Sequence, residues 1–323
     1  MDYSSIIKKS WEYLKKHRYF WWLGLLAFFS SGGSGATFYN IPFNYPTENP
    51  SVDQNQGPVL SDVLSKIRAS ENALITNNTT YLLIFGVIAL ILFVAIIYIS
   101  TSANAGLIFA VNSLERRVGE INLKKAFHSG QRYFWRFFVF NLLLGAMAIT
   151  FIGLLSLPVI LLFSEGSSLF SGIAIFYILV GIIILFLGMI LVSMVKVIGE
   201  RLIVIENLKV LKAMKQTFLL VRNNFGKVII TLLIEFGLNV VISIGIMFTF
   251  LIVFGIGALI FYLLSLLNTI VAMIFAGLIM LALLVALVVI RSGVIAFISS
   301  FWTISYLAID YLFKKKLVSS SSK

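Results

Sequence analysis

Long apolar stretches alternate along this chain with short basic ones, and the basic residues fall almost entirely in every second gap. Segment 31–77 contains only two cationic residues, Lys66 and Arg68. Four other segments hold 22 of the 25 Lys and Arg residues: 1–18, 113–136, 196–227 and 313–323. Because positive charge accumulates in cytoplasmic loops, this pattern predicts a multi-pass membrane protein whose two termini and basic segments lie in the cytoplasm.

Composition leads to the same class of protein. With 60% hydrophobic and 12% charged residues, a water-soluble globule would not cover its surface with polar groups. The net charge of +12 comes from residues next to the apolar stretches, so the predicted partners are anionic lipids and not nucleic acid. The absence of cysteine excludes disulfides, thiol catalysis and thiolate metal sites.

The sequence predicts three tandem repeats, each made of a basic amphipathic helix followed by a hairpin of two spans. The repeats cover 1–112, 113–207 and 208–323. Their helices begin with matching stretches: Lys8-Lys9-Ser10-Trp11, Lys124-Lys125-Ala126-Phe127 and, more diverged, Lys212-Ala213-Met214-Lys215. The predicted fold is an all-α integral membrane protein with six transmembrane helices, three interfacial helices and cytoplasmic N- and C-termini.

The spans differ in length. Outgoing spans are predicted at 19–33, 133–163 and 228–262, and returning spans begin near three residues: Asn78, Phe170 and Asn268. The returning runs exceed the length needed to cross a core of about 30 Å at about 1.5 Å per residue. Each has a polar residue at a similar depth, which marks the inner membrane surface: Asn104, Lys196 and Arg291. The segments beyond these residues are expected to pack against the amphipathic helices in a cytoplasm-facing layer.

Segment 31–77 contains four of the five prolines and is predicted to be an outside loop with a short amphipathic helix from Ser61. Helix packing in lipid relies on small residues. Close approaches are therefore expected at three glycine pairs: Gly181 with Gly188, Gly145 with Gly153, and Gly237 with Gly245. The third amphipathic helix is expected to lay an apolar stripe in the headgroup layer, with its Lys and Arg on the wet side: Val210, Met214, Phe218 and Val221.

Few polar residues fall inside the spans. Glu235 lies eight residues after Lys227, about 12 Å into the membrane at about 1.5 Å per residue, with Asn239 one turn deeper. Asn141 enters the membrane on the equivalent span of the second repeat, and Arg291 is a candidate counter-ion along with Lys196 and Arg201. An intramembrane carboxylate is a functional candidate, and its structural alternative is an ion pair inside the bundle.

The group from Lys196 to Arg201, which includes Glu200, is expected to snorkel at the inner surface. His17 and His128 have no nearby carboxylate cluster, so no metal or other cofactor is expected. Neither a hydrolytic arrangement of Ser, His and an acid nor a glycine-rich phosphate loop is present. The chain is therefore predicted not to be an enzyme.

Two stretches carry a resemblance to a known group. The run Ile203-Val204-Ile205-Glu206-Asn207, followed by Lys212-Ala213-Met214 and a basic Asn-Phe turn, resembles uncharacterised bacterial six-span membrane proteins. That group is similar to the membrane domain fused to some glycerophosphodiester phosphodiesterases, and Phe301-Trp302-Thr303 with Tyr306 resembles its C-terminal helix. The resemblance covers the last two repeats. It implies a bacterial inner membrane and association with lipids or larger assemblies, but no phosphodiesterase activity, because these residues contain no catalytic domain.

Two functions remain open. The first is a non-enzymatic protein that organises lipids or partner proteins through its basic interfacial helices, alone, as a homo-oligomer or in a larger membrane complex. Its candidate contacts with anionic lipid are seven lysines: Lys8, Lys9, Lys15, Lys124, Lys125, Lys212 and Lys215. The second is a transporter or channel with a small polar site around Glu235, Asn239, Asn141 and Arg291.

Overall fold

The structure, a computed structural model, describes residues 1–28, 79–164 and 168–321. Within these ranges every regular element is a helix. The helices are α1 (Tyr3–Lys16), α2 (Tyr19–Ala27), α3 (Thr79–Glu115), α4 (Leu123–Gln131), α5 (Phe134–Ser164), α6 (Ser168–Ile205), α7 (Val210–Asn223), α8 (Phe225–Leu267) and α9 (Thr269–Ser321). The prediction of an all-α protein is confirmed for this part of the chain.

Five helices in the described ranges are long and apolar enough to cross a membrane. Their candidate spans are Leu83–Glu115, Phe134–Pro158, Ile175–Ile205, Phe225–Leu266 and Thr269–Leu312. These helices indicate a multi-pass membrane protein. Helix α2 is the first part of the predicted span 19–33, whose last five residues lie outside the described residues. The whole predicted loop 31–77, with the short helix predicted from Ser61, also lies outside them.

The start of α9 agrees with the sequence pattern. The start predicted near Asn268 lies one residue before Thr269, where α9 begins, whereas the starts predicted near Asn78 and Phe170 lie at the edges of the described parts of α3 and α6. The side chain of Asn268 accepts a hydrogen bond from the backbone N–H of Ile270 at 2.9 Å, and so caps α9. A capping oxygen of this kind satisfies a backbone donor that has no partner inside the helix, which fixes where the helix begins.

The chain divides into two compact units, Met1–Ala36 with Ile99–Lys323, and Thr37–Tyr98. The described part of the second unit is the first half of α3, whose side chains from Leu83 to Val94 are exposed. All the packing described below belongs to the first unit.

In the first unit, the C-terminal parts of three long helices are buried. These parts, the first parts of α5 and α8 and the three short basic helices form what we call the packed layer: residues 100–113 of α3, 134–141 of α5, 194–204 of α6, 225–235 of α8 and 292–309 of α9, with α1, α4 and α7. Burial begins within about one turn of the predicted polar markers Asn104, Lys196 and Arg291. The long extensions therefore pack with the amphipathic helices, as the sequence predicts.

The same kind of contact occurs three times in the packed layer. Helix α1 packs on α9, α7 packs on α6, and α4 contacts α3 through the backbones of Gly130 and Gly106. Helix α2 also packs on α9, where the hydroxyl of Ser292 donates a hydrogen bond to the carbonyl of Trp21. The first two helices of the chain thus lie against its last helix.

The closest backbone approaches are in the packed layer and not at the glycine pairs predicted in the spans. A Cβ added at Gly130 would collide with the Ser102 carbonyl oxygen and lie 2.6 Å from the Gly106 nitrogen. Of the six predicted glycines, Gly188 alone has a close neighbour, the ring of Phe151 at 2.8 Å; five face open space: Gly145, Gly153, Gly181, Gly237 and Gly245. That prediction is wrong for these five, because the helices approach most closely beyond the exposed parts of the spans.

The apolar stripe predicted on α7 divides between two surfaces. The helix buries Ala213, Thr217, Leu220 and Val221, whereas Phe218 is 51% exposed. Phe218 is therefore free to contact headgroups, as predicted for the stripe, but Val221 packs on protein. Small side chains allow a helix to approach its neighbour closely, and they are among the buried residues of all three short helices: Ser10, Ala126, Gly130 and Ala213.

Beyond the packed layer lie two helix pairs, α5 with α6 and α8 with α9. We call them the apolar arms: residues 142–164 and 168–193 in the first pair, and 236–290 in the second. Within each pair the two helices contact each other, but most of the described side chains are exposed and apolar. Such surfaces require lipid as their solvent, because water would leave a very large apolar area uncovered.

Candidate functional site

A group of polar side chains is buried where α6, α8 and α9 meet in the packed layer. We call it the buried polar cluster: Glu200, Arg201, Glu235, Ser299 and Trp302. The three charged residues are almost fully buried, with exposures of 1% for Glu200, 3% for Arg201 and 4% for Glu235. Charged groups are rarely buried to this extent unless they are paired or bind a ligand, so the cluster is the main candidate site.

Arg201 lies at the centre of the cluster. Its Nη1 donates to the Val197 carbonyl oxygen at 2.7 Å, and its Nη2 donates to the Ser299 carbonyl oxygen at 3.5 Å, which joins α6 to α9. The Glu200 carboxylate lies 3.7 Å from Nη1, and Glu235 of α8 lies within electrostatic range. A single guanidinium therefore faces two carboxylates from different helices without a short hydrogen bond to either.

Several polar atoms of the cluster have no hydrogen-bond partner among the described residues. On the donor side these are Nε of Arg201 and Nε1 of Trp302, and the Ser299 hydroxyl is also unpaired. On the acceptor side they are both carboxylate oxygens of Glu200 and Oε1 of Glu235. The Trp302 indole lies beside the Glu235 carboxylate, yet neither atom gains a well-formed hydrogen bond from this proximity.

The structure places two of the four predicted site residues at or near this cluster and one at its edge. Glu235 belongs to it, and Asn239 is buried one turn further along α8. Asn141 of α5 donates to the Phe137 carbonyl oxygen at 3.0 Å, and its side chain lies near Glu200. Arg291 is half-buried and has no hydrogen bond or ion pair with a described residue. The cation that faces Glu235 is therefore Arg201.

Sequence reasoning missed the burial of Glu200 and Arg201, which it assigned to snorkelling. The snorkelling interpretation is wrong for these two residues because α6 continues into the packed layer, where α9 covers them. Lys196, one turn earlier, is half-buried and keeps access to the surface. The signal in the sequence was the extra length of the returning helix, which carries its polar residues past the predicted membrane surface.

The second candidate surface is the outer side of the short helices. All seven predicted lipid-contact lysines are exposed: Lys8, Lys9, Lys15, Lys124, Lys125, Lys212 and Lys215. We call the surfaces that these lysines form on α1, α4 and α7 the basic faces. Trp11, which is 49% exposed, lies on α1 with the Lys15 ammonium 5.3 Å from its ring centroid. A cation beside an exposed aromatic ring is typical of a membrane interface.

One basic face is held to α3 by an ion pair. The Lys9 Nζ lies 2.7 Å from the Glu115 carboxylate, and the Tyr13 hydroxyl donates to the same carboxylate at 2.9 Å. Burial first, and then the interaction with Glu115, raises the pKa of the Tyr13 phenol above its usual value. Lys125 likewise contacts the Glu120 carbonyl oxygen at 3.3 Å, whereas Lys8, Lys212 and Lys215 make no such bond with the described residues.

The described residues contain no group of three or more His, Asp or Glu side chains that would hold a metal ion. His17 and His128 accordingly take part in no such group there. No curated protein and no solved structure matches this chain. The model of one protein family, described as a family of unknown function (DUF7544), matches residues 8–311. This match covers most of the 323 residues, and the chain therefore belongs to that family.

Proposed function

We propose that this protein is a non-enzymatic multi-pass membrane protein that gathers anionic lipids, and partner proteins that associate with them, at the cytoplasmic leaflet. The observation that carries the proposal is the arrangement of the basic faces. All seven lysines are exposed on helices whose opposite, small-residue side is fixed to the packed layer. The ammonium groups are thus presented outward from a rigid base.

The proposal includes a topology. Six spans form three hairpins, with α2 and the residues after it as the first span, and the repeats cover 1–112, 113–207 and 208–323. Both termini and the packed layer lie in the cytoplasm, and the membrane is the bacterial inner membrane that the family resemblance implies. In favour of the repeats are the three recurring contacts of a short basic helix with the C-terminal part of a long helix.

Electrostatics favours anionic lipid as the partner. A Lys or Arg near an anionic membrane surface contributes about 1 kcal/mol to membrane attraction. The lysines of α7 lie beside Leu211 and Phe218, which are 73% and 51% exposed and would enter the acyl-chain region below the headgroups. Helix α7 thus offers charge to the headgroups and apolar surface to the acyl chains.

The test is a comparison of bound lipid. A variant with Lys124→Gln, Lys125→Gln, Lys212→Gln and Lys215→Gln should retain clearly less phosphatidylglycerol through purification from a native membrane than the wild type, as measured by native mass spectrometry. Lys66→Gln with Arg68→Gln, in the predicted outside loop, is the matched control and should retain the wild-type amount. Equal retention by the first variant and the wild type would contradict the proposal.

A second function, transport, is favoured by one observation, the burial of Glu235 beside Arg201 with an unpaired carboxylate oxygen. Acids buried among helices at the inner end of a membrane span are candidates for ion or substrate pathways. Here a flux assay in vesicles is the direct test, with Glu235→Gln as the variant and Glu12→Gln, an exposed position on α1, as the control. Flux that is equal in Glu235→Gln and the wild type removes Glu235 from a transport mechanism.

A further inference from the structure

The buried polar cluster contains hydrogen-bond donors and acceptors that have no partner within the cluster. Six atoms of five neighbouring side chains lack partners among the described residues: Glu200 Oε1 and Oε2, Glu235 Oε1, Arg201 Nε, Ser299 Oγ and Trp302 Nε1. Buried polar atoms in folded proteins nearly always have a partner, either protein or ordered water. An exception at one isolated atom is ordinary, whereas six atoms at one place indicate a bound molecule.

The chemistry of these atoms restricts what the molecule is. Three carboxylate oxygens require hydrogen-bond donors, while Arg201 Nε and Trp302 Nε1 require acceptors. The unpaired donors and the unpaired carboxylate oxygens belong to neighbouring side chains of opposite charge, and the Arg201 guanidinium lies 3.7 Å from Glu200. A neutral molecule that donates and accepts at once matches this mixture better than an ion of either sign. Water is the smallest molecule that does both.

We propose that the buried polar cluster is an internal water-binding site, in which ordered water molecules bridge Arg201 to Glu200 and Glu235. A buried water makes about three hydrogen bonds, so the six atoms correspond to at least about two waters. The half-buried Lys196, one turn from Glu200 on α6, marks the side from which water enters. This site lies inside the packed layer and is independent of lipid binding at the basic faces.

Radiolytic hydroxyl-radical labelling tests the site in the wild-type protein. Radicals formed from a bound water label the side chain next to it even when bulk solvent cannot reach that side chain. We expect Trp302, which is 1% exposed, to be labelled at a rate within a few-fold of Trp11, which is 49% exposed on α1. Phe301 and Phe140, both 0% exposed, are the controls and should stay unlabelled.

Two outcomes would overturn the proposal. If Trp302 remains unlabelled at doses that label Trp11, the cluster is dry. If Phe301 is labelled as fast as Trp302, bulk solvent enters the whole layer and no specific water site exists. Because the measurement is made on wild-type protein in neutral lipid, its result does not depend on the folding of a variant or on anionic-lipid binding.

A structure in a bilayer mimic that resolves solvent provides the second readout. Density that bridges Arg201 Nε to either carboxylate supports the site. Direct hydrogen bonds from Asn141 to Glu200 and from Trp302 to Glu235, with no density between the groups, would show that the protein satisfies the cluster by itself and would exclude the water site.

Discussion

The packed layer and the apolar arms are built from the same long helices but hold together in different ways. In the layer, α6 and α9 are buried on nearly all sides and carry many polar residues, among them Arg201 and Thr303. In the arms, the same helices are almost wholly apolar and mostly exposed, as at Leu187 and Leu281. The more polar region is thus the better packed one, whereas in a water-soluble protein the best-packed region is the apolar core.

Lipid explains this reversal. An apolar side chain gains little when it leaves lipid for another helix, so association of helices depends on small residues, close backbone contact and hydrogen bonds. The layer supplies these features at Gly130, Gly106 and Ser292. The arms supply few of them. Stability should therefore respond strongly to changes in the layer and weakly to changes in the arms.

The largest effect should come from removing the shared cation. Arg201→Met leaves Glu200 and Glu235 buried without a guanidinium, and loss of one partner of a buried charge group costs about 3–5 kcal/mol. Arg222→Met, at an exposed position on α7, is the control and should stay within about 0.5 kcal/mol of the wild type. Equilibrium unfolding in mixed micelles measures both. Equal stability of the two variants would show that Arg201 does not hold the layer together.

Truncation of matched leucines should give the next largest difference. Leu202→Ala, at a position 0% exposed in the layer, should lower the free energy of unfolding by about 2–4 kcal/mol, because a cavity remains. Leu154→Ala, at a position 65% exposed in an arm, should cost less than about 0.5 kcal/mol because lipid replaces the lost contacts. The same unfolding assay compares them, and a larger loss at Leu154 would reverse the comparison.

The smallest difference in stability between the two regions should come from adding one methyl group at a glycine. Gly130→Ala pushes a Cβ against the Ser102 carbonyl and the Gly106 backbone, which costs about 1–3 kcal/mol through forced displacement of α4 from α3. Gly145→Ala has open space around the new Cβ and should be neutral or slightly stabilising, since Ala favours the helix more than Gly does. Equal thermal midpoints for the two variants would show that α4 does not depend on this contact.

Sequence patterns predicted most of the elements and fewer of their contacts. Hydrophobic length and charge placement located the long helices and the three basic helices, because these are local properties of the chain. Close approaches were predicted wrongly at five of the six glycines, since which small residues meet depends on how distant helices align.

The candidate site shows the same limit. Glu235 stood out as an acid in an apolar run, and the structure does bury it. Its neighbour Arg201, from α6, was one of three candidate counter-ions, but nothing local in the sequence selects it over Lys196 and Arg291. Trp302, from α9, was not predicted to lie beside Glu235. Recognition of the cluster required knowing that the returning helices continue beyond the spans and pack together.

The contacts of α1 and α2 with α9 have a consequence for how the protein is made. Trp11 packs edge-on against Phe297 at a centroid distance of 6.1 Å, and the Trp21 carbonyl accepts the hydroxyl of Ser292. During synthesis from the N-terminus, the first two helices emerge long before the helix that completes their surroundings. Until α9 is synthesised, the sides of α1 and α2 that contact it stay uncovered. Assembly of this part of the protein is therefore completed only after translation has reached α9.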